Sequence, residues 1–228
     1  MMSLPHALAL SFRQLGDRTI LMVLVKSLIV TLAIFGGLGA LLLTGLHRAL
    51  TAYGMGSSAE IGTLVALLVT IVAGWLLFRF VALFVLQFFA EDVVRAVEAK
   101  HYPREAGAAR SLGFRQELGN GFRSTTRALV VNLVALPFAL VLLFTGIGTA
   151  LLFWAVNGWL LGRELQDMVW LRHRSDADEI APLGKTQRFL LGGTVAALLM
   201  VPFANLLAPV LGAASATHMV HRRRAERA

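Results

Sequence analysis

Of the 228 residues, 57% are hydrophobic and only 15% charged, where soluble domains carry about 45–50% and about 25%. That composition excludes an ordinary soluble domain and predicts an all-α integral membrane protein. Twenty-one basic against 13 acidic residues give a formal charge of +8, which in a chain this apolar speaks of membrane topology, with no nucleic acid expected. The absence of cysteine excludes disulfides, thiolate catalysis and cysteine metal sites.

Residues 1–18 place Leu4, Leu8, Phe12 and Leu15 at intervals of three to four, beside Arg13 and Arg18, which predicts an amphipathic interfacial helix. The block 19–46 is long enough to span a hydrocarbon core of about 30 Å with some tilt, and Gly36-Gly37-x-Gly39 offers a close-packing face. It lacks a clear small-residue cleavage site and reads as a retained anchor. After a polar turn at Thr51–Ser58, a second long helix is expected over 61–100, spanning to about Ala90 and amphipathic over 91–100. Tyr102-Pro103 stops it.

The polar, glycine-bearing stretch 104–127 is expected as a cytoplasmic loop with one surface helix near Ser111–Leu118. A broken apolar block follows over 128–161, interrupted by Pro137 and by Thr145-Gly146-Ile147-Gly148, and reads as a first hairpin. A second cytoplasmic loop is expected over 162–188. The block 189–220 is then broken by Val201-Pro202-Phe203-Ala204-Asn205 and again by Pro209. Its arms, roughly 20 Å and 17 Å at 1.5 Å per residue, are each too short to cross about 30 Å of hydrocarbon, so a second hairpin entering only partway is predicted. A basic tail, 221–228, closes the chain.

Arginine and lysine are distributed unevenly: two lie in 1–18, seven in 91–127, five in 162–188 and four in 221–228, against Arg48 alone in the turn at 47–60. The positive-inside rule puts both termini and both long loops in the cytoplasm.

Arg79 lies deep in an apolar block, where an arginine is costly unless paired or wetted. It is a candidate anion ligand or a snorkelling side chain. Arg163 can bind an oxyanion bidentately, or pair structurally with Glu164 or Asp167. Asn205 at the second hairpin tip, and the turn at Gly146 and Gly148, offer backbone amides to an anion. The histidines are scattered without the i, i+4 pairing of a helical metal site, so no metal or cofactor is expected. No convergent acid–base set marks an enzyme.

The segment Leu161-Gly162-Arg163-Glu164-Leu165-Gln166-Asp167, with Leu171-Arg172-His173 and then Pro202-Phe203-Ala204-Asn205-Leu206-Leu207-Ala208-Pro209, resembles the CysZ-like sulfate permease family, which shares a domain with the etoposide-induced membrane proteins. The order of elements agrees along nearly the whole chain. The resemblance implies one membrane domain over 1–228, with two long transmembrane helices and two helical hairpins entering partway. It further implies a bacterial cytoplasmic membrane, assembly into homo-oligomers and passage of sulfate or a similar small anion. In the sulfate branch, arginines just before the first long helix are associated with the anion. Arg18 matches one of that pair, Thr19 replaces the other, and Asp17 adds a negative charge beside them. That departure points outside the well-defined sulfate branch. A scaffold docking partner helices is the competing class.

Overall fold

The structure is a computed structural model and describes residues 3–52, 74, 90–110, 112–176, 178–201 and 204–227. Among these every regular element is helical. In chain order they are α1 (Leu4–Gln14), α2 (Arg18–Ala52), the helical residues 90–101 (α3), α4 (Pro103–Ala108), α5 (Phe114–Leu142), α6 (Gly148–Trp170), α7 (Lys185–Leu199) and α8 (Ala204–Ala225). Contacts gather the chain into two units, one made of residues 1–20 with 90–228 and the other of 21–89.

α5 packs against α6 and α7 against α8, and these helices have fewer breaks than their prolines suggested. Pro137 lies inside a continuous α5, and Pro209 inside α8. A proline within a helix removes one N–H bond and crowds one carbonyl. At Pro209, the sixth residue of α8, the bond lost is a single early one, to the Asn205 carbonyl. The first hairpin turns at a short 3-10 segment, Leu143–Thr145, followed by Gly146 at φ 72°, the left-handed region that glycine enters without a Cβ clash. Thr145 Oγ1 then accepts from the Gly148 amide at 3.0 Å, opening α6. The second hairpin turns after Leu199, and Pro202 lies outside the described residues.

Two expected loops are partly helical. α5 begins at Phe114 and absorbs Gly119, Asn120 and Gly121, and α6 continues from the apolar block to Trp170. Extending a helix costs far less than nucleating one, so a long apolar helix carries its pitch into adjoining polar sequence despite about 1 kcal/mol per glycine. Ser124 Oγ, donating to Glu164 Oε1 at 2.7 Å, ties the polar ends of α5 and α6 together.

The helical stretch Leu118–Thr145, 28 residues whose most apolar 18-residue window has a mean hydropathy of 2.5, is long and apolar enough to cross a membrane. In α2 the described apolar run is the shorter Ile29–Leu41, and most of the expected second long helix lies outside the described residues. Leu129, Leu133, Leu140, Val141 and Phe144 all present exposed apolar surface on α5 and its turn. Such a surface meets lipid at no cost, whereas in water it would drive aggregation.

Close packing is carried by α6 against α7. A Cβ on Gly162 would run into the Arg188 carbonyl, and one on Gly192 into the Gly158 carbonyl and the Gly162 amide. Trp154 Nε1 adds a hydrogen bond to the Gly193 carbonyl at 2.8 Å. This is small-residue packing of the membrane kind, with backbones touching. No described atom lies within 4 Å of a Cβ on Gly36, Gly37 or Gly39, the face the sequence singled out. α8 forms the core of its unit, buried almost without interruption from Ala208 to His221.

Candidate functional site

The turn between α1 and α2 opens onto a cleft of about 290 Å³ whose polar lining comes from Gln14, Asp17, Arg18, Thr19, Lys100 and His101. Lys100 Nζ meets Asp17 Oδ1 at 2.7 Å. Arg18 is exposed and forms no ion pair among the described residues. The aspartate is thus neutralised by a lysine from α3, and the cleft keeps the arginine's positive charge at the N-terminus of a 35-residue helix.

The other expected anion residues are not gathered there. Arg163 points its Nε to Asp167 Oδ2 at 3.6 Å, one turn along α6, and does not line the cleft. Asn205 is exposed at the start of α8, its amide bonded to the Val201 carbonyl at 3.0 Å. Arg79 lies outside the described residues.

α1 docks by its small and polar side. Ala7, Ser11 and Gln14 are its buried residues, while Phe12 stays 52% exposed. Ser11 Oγ and Ser215 Oγ are 2.9 Å apart, and Gln14 Nε2 reaches His218 Nε2 at 2.8 Å and His101 Nε2 at 3.1 Å. His218 Nδ1 meets the Tyr102 hydroxyl at 2.9 Å. Polar groups cost most when buried unpaired, so this chain of contacts fixes α1 on α8 in one register.

Beside it lies a second buried cluster. Glu98 occupies the inward stripe of α3 with Val93, Val94 and Val97. Its Oε1 receives His173 Nε2 at 2.8 Å and His221 Nε2 at 3.1 Å, and its Oε2 lies 3.7 Å from Arg172 Nη1. Burial alone would raise the Glu98 pKa, but hydrogen bonds from His173 and His221, with the charges of His173 and Arg172, outweigh it and pull the value to about 2. The carboxylate is therefore ionised. The turn carrying His173 is held from both sides. Arg224 Nη2 donates to the His173 carbonyl at 2.9 Å, and the Arg110 amide donates to the Arg172 carbonyl at 2.9 Å. The Tyr102 ring lies over His221, centroids 4.8 Å apart and 30° from parallel.

Sequence reasoning did not single out Glu98, and it set His173, His218 and His221 aside as scattered histidines. One local signal existed, since Glu98 sits at i+4 from Val94 on the apolar stripe of an amphipathic helix, where an acid is out of place.

The family described as Sulfate transporter CysZ/Etoposide-induced protein 2.4 matches residues 7–209. The chain belongs to this family. No curated protein and no solved structure matches it. Membership in the CysZ/etoposide-induced family agrees with the apolar helix at Leu118–Thr145 and makes this a membrane protein of a transporter-like family.

Proposed function

We propose that the protein is a permease of the bacterial cytoplasmic membrane for sulfate or a similar small oxyanion, with both termini and both basic connections in the cytoplasm. The observation that carries this reading is the pairing of Asp17 with Lys100 at 2.7 Å, which leaves Arg18 as the cation of the cleft. Arg18 attracts the anion, and the first amides of α2 and the Thr19 hydroxyl supply donors. The nearby Lys100 adds to the positive field. Thr19, where the sulfate branch has a second arginine, lowers that field and favours a weaker or less selective site. Arg79 is the proposed partner cation along the path. Arg163, tied to Asp167, serves at an entrance or as a brace, and Asn205 shapes the second hairpin tip. α7, about 22 Å long by its 15 residues, is short for a bilayer, which supports a hairpin entering partway. Association of several copies completes the reading.

The test is sulfate uptake into vesicles reconstituted with purified protein, comparing wild type with Arg18→Ala and Arg79→Ala. Uptake above empty vesicles, reduced tenfold or more by Arg18→Ala, is the expected result, since losing a charged hydrogen-bond partner costs about 1.5–3 kcal/mol. Folded protein that passes neither sulfate nor related oxyanions sinks the permease and leaves the scaffold.

A further inference from the structure

We propose that Glu98, His173 and His221 form a site for one divalent transition-metal ion of the zinc type, clamping α3, the C-terminal turn of α6 and α8. This is independent of whether the protein moves an anion.

The three side chains come from positions far apart in the chain, yet their donor atoms all lie within 4.8 Å of one another. Each side chain is only 1% exposed. Both imidazoles aim Nε2 at the same carboxylate oxygen, at 2.8 and 3.1 Å. In a tetrahedral zinc site with bonds of about 2.0–2.1 Å, neighbouring ligand atoms are about 3.3 Å apart, so an ion needs these two gaps to widen by a few tenths of an ångström and the two imidazole nitrogens, within 4.8 Å of each other, to draw together by up to about 1.5 Å, a rotation of the rings. Two imidazole nitrogens and one carboxylate oxygen make a recurrent zinc set, with a fourth position left for water.

The surroundings also suit a ligand set. Arg172 engages Oε2 and leaves Oε1 to face the histidines, orienting the carboxylate as outer-shell partners do at metal sites. Tyr102 fixes the plane of the His221 ring, and Arg224 grips the backbone of His173. A pair of hydrogen bonds at Oε1 is the competing account; His173 Nδ1 and His221 Nδ1 are buried without a partner on either reading, and the convergence of two rings from different elements on one oxygen is what favours an ion.

The test uses untagged full-length protein in detergent, stripped with a chelator and titrated with Co²⁺, whose tetrahedral complexes absorb strongly in the visible. Wild type and His101→Gln are expected to take up one equivalent, displaced by Zn²⁺, and Glu98→Gln and His221→Gln to lose the signal. No Co²⁺ spectrum in folded wild type overturns the site, as does an undiminished spectrum in the two ligand variants. A ligand variant that fails to fold binds nothing for another reason, so the melting temperature of wild type is read with and without Zn²⁺ as well. It should rise with the ion, and an unchanged value refutes the clamp.

Discussion

Asp17 and Lys100 decide what charge the cleft presents. Their pair is partly exposed, and such pairs contribute about 1 kcal/mol or less to stability. Their effect on a bound anion is larger than that suggests, because removing the lysine both deletes a cation and bares a carboxylate beside Arg18. Lys100→Ala should therefore weaken sulfate binding by roughly fivefold or more, and Asp17→Asn should strengthen it by a few fold at low salt, both fading as ionic strength rises. Equilibrium binding of radiolabelled sulfate at two salt concentrations checks the signs. Equal affinity in the two variants would show that Arg18 is not where the anion sits.

At the scale of helices, α6 and α7 are joined by backbone contact. Glycine at 158, 162, 192 and 193 lets the two helices close to a distance that no side chain tolerates. Gly192→Leu should lower stability by about 1–3 kcal/mol or block folding, seen as a lower melting temperature in detergent. Gly119 is exposed in α5 with open space around it, so Gly119→Ala should raise stability by about 0.5–1 kcal/mol. Opposite signs from two glycine substitutions separate packing from propensity. The second hairpin was legible in the sequence because Val201–Asn205 breaks an apolar run at the point where the helices turn. Pro137 and Pro209 misled because a proline interrupts a pattern in sequence more than it interrupts a helix already propagating on either side of it. The Glu98 cluster was illegible for a different reason. Its two histidines lie 75 and 123 residues from the acid, and only the packing of α3, α6 and α8 brings them together. Arg18 was found through a family resemblance, and the lysine that neutralises its neighbouring aspartate lies 83 residues away on α3.

For the whole molecule, lipid and charge together determine orientation. Exposed leucines and phenylalanines on α5 need hydrocarbon around them, and the proposed topology puts the basic segments at 91–127, 162–188 and the tail on the cytoplasmic side. The chain has no cysteine, so single cysteines report without background. Ser58→Cys should react with a membrane-impermeant maleimide in intact cells, and Glu226→Cys only after permeabilisation. The reverse pattern would turn the protein over and put the Arg18 cleft on the opposite face. Transport is the most direct measurement. Vesicles containing purified wild type should take up labelled sulfate in a saturable way, and vesicles with folded Arg18→Ala should do so at a tenth of the rate or less. Saturable uptake unaffected by Arg18→Ala, or no uptake of any small oxyanion by folded wild type, would contradict a permease built around that arginine.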